Sequence, residues 1–236
     1  MDVHVRVIGS SPAWPNPGSA QSGYLVEDGG HLLLDCGPGV LGRLREGRLA
    51  VDAVAITHFH LDHWGDLVPW AWLNQYGPDG QALRCSLWLP PQGIDELATF
   101  ASFWGNPNMF EKAFELNEYE PGVPFEAAGF TVEARPVEHY GLRAFGFRVS
   151  REGKTLAYSG DSAPAAELAE LARGADLFIC EATLASSDRE STPRGHLSAE
   201  EALAAADGPV LLTHRPVELP SPNGVPRAYD GLVVEV

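Results

Sequence analysis

The sequence predicts an α/β protein in which two β-sheets stack and helices cover their outer faces. Two observations predict it: period-two segments arrive in consecutive runs, and helical segments intervene in both halves of the chain. A third sets the extent. No linker, internal repeat or low-complexity tract divides the 236 residues, and 44% hydrophobic with 20% charged residues suits a sizeable core, so residues 1–236 read as one domain.

Taken in order, Val3 to Ile8 alternates as a strand and a Gly/Ser/Pro/Asn loop follows through Gly23. Tyr24 to Glu27 and His31 to Asp35 form a hairpin around Asp28-Gly29-Gly30. Leu41, Leu44 and Arg45 mark a short helix, and Ala53 to Ile56 a strand that runs into Thr57-His58-Phe59-His60-Leu61-Asp62-His63. Trp64 to Leu73 reads as helix, Ser86 to Leu89 as strand and Asp95 to Phe103 as helix, while Phe103 to Phe125 is aromatic and turn-rich. Phe130 to Glu138, Ala144 to Ser150 and Thr155 to Ser159 are consecutive strands. Helices at Pro164 to Arg173 and Ser198 to Ala206 flank the strand Leu177 to Cys180, and Leu211 to Thr213 and Leu232 to Val236 close the order.

Bulk chemistry narrows the function. A formal net charge of -16 repels a polyanion, so long nucleic acids are poor partners, whereas a small anionic substrate remains compatible if bound cations reverse the local sign. The beginning Met1-Asp2-Val3-His4 has neither the basic nor the apolar stretch of a leader, and no run is long enough to span a membrane, which predicts a cytoplasmic protein with no membrane partner. Cys36, Cys85 and Cys180 are odd in number and widely spaced, as reduced thiols are, so any metal chemistry falls to His and Asp.

His58, His60, Asp62 and His63 place three imidazoles and a carboxylate within six positions. Alternate residues of an extended loop point the same way, so His58 and His60 can share one metal while Asp62 and His63, after a turn into the next helix, reach another. His139, Asp161 and His214 stand at the ends of later strands and complete the seven ligands that two metals need. Imidazole nitrogen and carboxylate oxygen suit zinc, with manganese and iron as rivals.

These residues, with Leu34-Asp35-Cys36-Gly37, Ser159-Gly160-Asp161 and Thr213-His214, resemble the metallo-β-lactamase superfamily over nearly the whole chain. The resemblance implies a four-layer αββα sandwich. It also implies one metal on His58, His60 and His139, another on Asp62, His63 and His214, and Asp161 bridging both. Two such cations can hold a hydroxide between them that attacks phosphorus, and Asp62 would orient it. Asp35 and Thr57 are read as groups that hold the ligands in orientation.

Gly195-His196-Leu197-Ser198 resembles the ribonuclease Z-like branch, where the corresponding His faces the scissile phosphate, and Glu181 matches that branch as its partner. Ser198-Ala199-Glu200-Glu201 is a capping-box pattern, which sets His196 before a helix N-terminus suited to an anion. Members that process transfer RNA carry a long arm between the His and bridging Asp motifs, and the His139 to Asp161 interval holds little beyond a strand pair. The reading is therefore a dinuclear metal-dependent phosphodiesterase for a cyclic or short phosphodiester, with His196 assisting the leaving group. Alternatives are a lactone or thioester hydrolase of the same superfamily, although Pro164 stands where the lactonases have Tyr, and a single-iron sulfur dioxygenase. His4, His31, Trp64, Trp70, Trp72 and Trp88 read as structural. Phe100, Phe103, Trp104, Met109, Phe110 and Phe114 form an apolar cluster that could serve as core, homodimer surface or active-site lid.

Overall fold

Leu32, Leu33 and Leu34 show no polar alternation, yet in the computed structural model, which describes residues 3–78 and 84–236, they lie in a strand. Side chains alternate across a strand, so Leu32 and Leu34 enter one apolar cluster and Leu33 another. A strand buried on both faces belongs to an inner layer.

The strands are β1 (His4–Gly9), β2 (Gly23–Glu27), β3 (His31–Leu34), β4 (Ala53–Ala55), β5 (Ser86–Leu89), β6 (Glu115–Glu118), β7 (Phe125–Ala127), β8 (Phe130–Val137), β9 (Ala144–Arg151), β10 (Lys154–Tyr158), β11 (Leu177–Glu181), β12 (Val210–Thr213) and β13 (Val233–Glu235). The helices are α1 (Val40–Gly47), α2 (Leu61–Trp64), α3 (Leu67–Tyr76), α4 (Gly93–Ser102), α5 (Met109–Ala113), α6 (Ala166–Ala172) and α7 (Ala199–Ala205). One sheet has the order β13-β1-β2-β3-β4-β5-β6 and the other β12-β11-β10-β9-β8-β7. Between them lie Val5, Val26 and Leu34 from the first sheet against Phe130, Phe147 and Ile179 from the second. Outside the first sheet, Leu25, Val54 and Leu87 pack under Leu44, Trp70, Leu97 and Phe110 of the helices. Outside the second, Phe178 and Leu212 pack under Leu168 and Leu171 of α6 and Ala202 of α7. Three apolar clusters thus separate four layers, the αββα sandwich.

Direction places the chemistry. Strands β3 to β6 are mutually parallel, as are β10 to β12. β8 runs antiparallel to β9, which runs antiparallel to β10, so β8 points the same way as β10. Asp35, Thr57 to His63, His139, Asp161, Glu181 and His214 all sit at or just past the carboxyl ends of β3, β4, β8, β10, β11 and β12. The crevice outside strand carboxyl ends is the usual ligand position in such sheets.

Two expectations are corrected. The helix read over Trp64 to Leu73 is two helices, broken at Gly65–Asp66: the Asp66 amide donates to Cys36 O at 3.0 Å, and the Asp66 carboxylate accepts from Leu41 N at 2.8 Å. These tertiary bonds take the place of the helical ladder. The segment read as turn-rich contains α5 and β6, because Met109, Phe110 and Phe114 are fully buried against α3 and α4. Those three residues are core, whereas Phe103 and Trp104 are exposed. Among the described residues, no helix is long and apolar enough to cross a membrane.

Gly37 governs how closely the β3 end approaches α2, since a Cβ there would lie 2.0 Å from Asp62 O. Gly37→Ala is predicted to lower stability by about 1–3 kcal/mol in urea denaturation and to weaken zinc binding, because Asp62 and His63 move together. Unchanged midpoint and affinity would contradict this packing role.

Candidate metal centre

The scaffold decides which nitrogen each imidazole can offer. Thr57 Oγ1 donates its proton to the Asp35 carboxylate at 3.0 Å, so it accepts from His58 Nδ1 at 3.0 Å. Asp35 Oδ2 accepts from His63 Nδ1 at 2.7 Å and from the Tyr158 hydroxyl at 2.8 Å. Gly195 O accepts from His139 Nδ1 at 2.7 Å. Thr183 Oγ1 donates to Glu181 Oε2 at 2.8 Å and accepts from His214 Nδ1 at 2.9 Å. Each of these four rings therefore turns Nε2 inward, and neutral rings held this way present a lone pair, as metal-binding histidines do.

The inward atoms converge. His58, His60, His139 and Asp161 form one group and Asp62, His63, Asp161 and His214 a second, each with its donor atoms within 4.8 Å of one another. Asp161 belongs to both. In the first group His60 Nδ1 and His139 Nε2 are 3.0 Å apart; zinc bonds of about 2.0–2.1 Å would put tetrahedral nitrogens roughly 3.3 Å apart. In the second, His214 Nε2 lies 3.0 Å from Asp62 Oδ2 and 3.6 Å from Asp161 Oδ1. His58 Nε2, His63 Nε2 and Asp161 Oδ1 are buried with no hydrogen-bond partner. Buried polar atoms are rarely left so, and a cation in each group would satisfy all three. The donor set fits divalent metal.

Electrostatics agrees. Burial pushes His58, His60 and His139 below the ordinary imidazole value, which keeps them neutral. Burial also opposes charge on His63, but the carboxylates of Asp161, Asp35 and Asp62 outweigh it and hold the ring protonated. Burial tends to raise Asp62 and Asp161, and their neighbouring imidazoles, His63 foremost for Asp62 and His214 for Asp161, hold both below the usual carboxylate range instead. An uncompensated buried charge costs several kcal/mol, so this centre requires positive charge, from a proton on His63 or from metal.

A third group joins Glu181, His196 and His214. It is not a third metal position. Glu181 is fully buried, and its two oxygens already accept from Ser162 N, His196 Nδ1, Thr183 N and Thr183 Oγ1, which fills the roughly four lone-pair sites of a carboxylate. Glu181 instead fixes His196: burial lowers the imidazole, but the Glu181 contact at 2.9 Å prevails and raises it to about 9. His196 stacks on His214 at 5.7 Å between centroids, with its Nδ1 3.9 Å from Asp161 Oδ2. The expected capping box beside it forms: Ser198 Oγ accepts from Glu201 N and Glu201 Oε2 from Ser198 N, which occupies two of the amides at the N-terminus of α7.

All eleven residues singled out from the sequence thus meet beyond the carboxyl ends of the strands. Thr183, Tyr158 and the Gly195 carbonyl were missed, although they orient His214, Asp35 and His139; nothing local distinguishes a buried hydroxyl or carbonyl until the strands are aligned. The backbone is strained here, with positive φ at Asp35 (60°) and His214 (51°), as functional positions often are. Cavities flank the cluster: one of about 450 Å³ beside His196 and His214, another of about 340 Å³ beside His58 and His60.

Comparison with known proteins follows the same outline. A family model described as the beta-lactamase superfamily domain matches residues 31–209. Uncharacterized protein Rv1339 of Mycobacterium tuberculosis is 34% identical over 226 residues, covering 92% of this chain and 82% of the relative. A protein named ribonuclease Z from Mycolicibacterium paratuberculosis is 29% identical over 242 residues, covering 90% and 85%. The crystal structure of the metallo-beta-lactamase fold protein YhfI from Bacillus subtilis superposes with a TM-score of 0.83 at 25% identity, over 100% of both chains.

Because metal must displace protons from this centre, zinc binding is predicted to release protons. Its apparent affinity should still be climbing above about pH 6.5, the ordinary imidazole value, since His63 keeps its proton there. Calorimetry in buffers of different ionisation enthalpy measures the release, and proton-neutral binding would contradict the charge assignment.

Proposed function

The chain belongs to the beta-lactamase superfamily, and we propose that it is a metal-dependent phosphodiesterase acting on a small phosphodiester. The observation that carries this is His196, a sixth imidazole set beside both donor groups yet belonging to neither. Hydrolysis of a phosphodiester expels an alkoxide, which leaves faster when a positioned acid protonates it. His196 Nδ1 is occupied by Glu181, so Nε2 is the position from which a proton is given.

Metal on the two groups, zinc by the donor chemistry with manganese and iron as rivals, would neutralise phosphoryl oxygens and activate water. Asp161 joins the groups. Asp62 turns Oδ2 toward His63 and His214, and its other oxygen would be the one left to orient an attacking water. The Glu181 contact raises His196 to about 9 and so keeps a proton on it to give, and the positive charge of bound metal would oppose that rise, in the direction that suits a general acid. The net charge of -16 and the short His139 to Asp161 interval, filled by β9 and β10, favour a small ester over a transfer RNA. The ribonuclease Z name of the Mycolicibacterium relative supports phosphodiester chemistry in the same direction.

The test uses protein stripped of metal and reloaded separately with zinc, manganese and iron. Turnover of bis(p-nitrophenyl) phosphate should require metal. His196→Ala should keep its metal, slow an ester with an alkoxide leaving group by about 100-fold or more, and slow the nitrophenyl ester less, since nitrophenolate departs unaided. Equal small effects on both esters would remove His196 from the acid role. No turnover with any metal would move the function to lactone, thioester or sulfur substrates.

A further inference from the structure

The larger cavity opens on the leaving-group side of the site, because His196 and His214 form its inner wall. Its outer wall carries Trp14, which is 53% exposed, forms no hydrogen bond and stacks on no other ring among the described residues. Tyr140, Leu184 and Leu219 extend the apolar lining.

Trp14 does not hang on a loose loop. Its neighbours Pro12, Pro15 and Pro17 restrict the backbone, and Gln21 Nε2 donates to Ala13 O at 2.6 Å. Asn16, itself buried, clamps this loop to the opposite wall: its Nδ2 donates to Arg215 O at 3.0 Å and its Oδ1 accepts from Val217 N at 2.9 Å. The backbone that carries the indole is therefore held in place before anything binds, and a pre-organised loop avoids the ordering cost of a mobile one. An aromatic face over a cavity of about 450 Å³ suits a flat ring system.

The charges lining the cavity select further. Arg189 and Glu218 both line the cavity with opposite formal charges, and Glu190 is occupied by Gly195 N, His196 N and the Tyr140 hydroxyl. With no excess of positive charge, the cavity favours an uncharged occupant over a second phosphate. We propose that it receives a neutral planar aromatic group carried by the leaving oxygen of the phosphodiester, stacked on Trp14. This rests on the phosphodiesterase reading above.

The test is calorimetric binding, to zinc-loaded protein, of two phosphonate monoesters that mimic the diester: 1-naphthyl methylphosphonate and cyclohexyl methylphosphonate. Wild type should bind the naphthyl ester about tenfold more tightly. Trp14→Ala should erase that preference by weakening the naphthyl ester alone, and Trp14→Phe should restore most of it. Equal affinity of wild type for the two esters, or equal weakening of both in Trp14→Ala, overturns the aromatic assignment and leaves the phosphodiester reading standing. Failure of wild type to bind either ester overturns both.

Discussion

The centre depends on one constraint: His58, His63, His139 and His214 are gripped by the scaffold through Nδ1. A histidine free to rotate or exchange tautomers would present a proton as often as a lone pair. Thr57, Asp35, Gly195 and Thr183 remove that freedom, each from the end of a different strand or an adjoining loop, so the layered fold acts as the jig that aims four nitrogens inward. His60 is the exception. It projects Nδ1 from the loop before α2 with no scaffold partner on that atom, and its contact is His139 at 3.0 Å.

The same grip creates the electrostatic problem that defines the function. Asp35, Asp62 and Asp161 surround one fully buried imidazole, His63, and neutral neighbours cannot balance three carboxylates. Divalent cations balance them and also satisfy the orphaned atoms of His58, His63 and Asp161. Glu181 repeats the logic nearby with a different result. Its oxygens are filled by hydrogen bonds, so it orients an acid rather than a metal. Asp161 and Glu181, at the ends of the paired strands β10 and β11, thus serve different chemistry because one has an unpartnered oxygen and the other does not.

The layered order was legible because the alternation in Phe130 to Val137 and the all-apolar Leu32 to Leu34 report burial directly. The donor cluster was legible because His58 to His63 is improbable without a ligand, and strand ends supplied the remainder. What stayed hidden depends on long-range contacts. The break at Gly65–Asp66 follows from Cys36 O and Leu41 N, residues more than twenty positions away. α5 was obscured by its aromatic content, which reads as patch or core with equal ease until Phe110 and Phe114 are seen buried. The self-capped end of α7 matched its sequence pattern, and both bonds of the box form.

The most direct test of the account is anomalous diffraction from crystals loaded with zinc. The account predicts two peaks, one among His58, His60 and His139 and the other among Asp62, His63 and His214, with Asp161 between them. A single peak, or a peak held by Glu181 and His196, would contradict it.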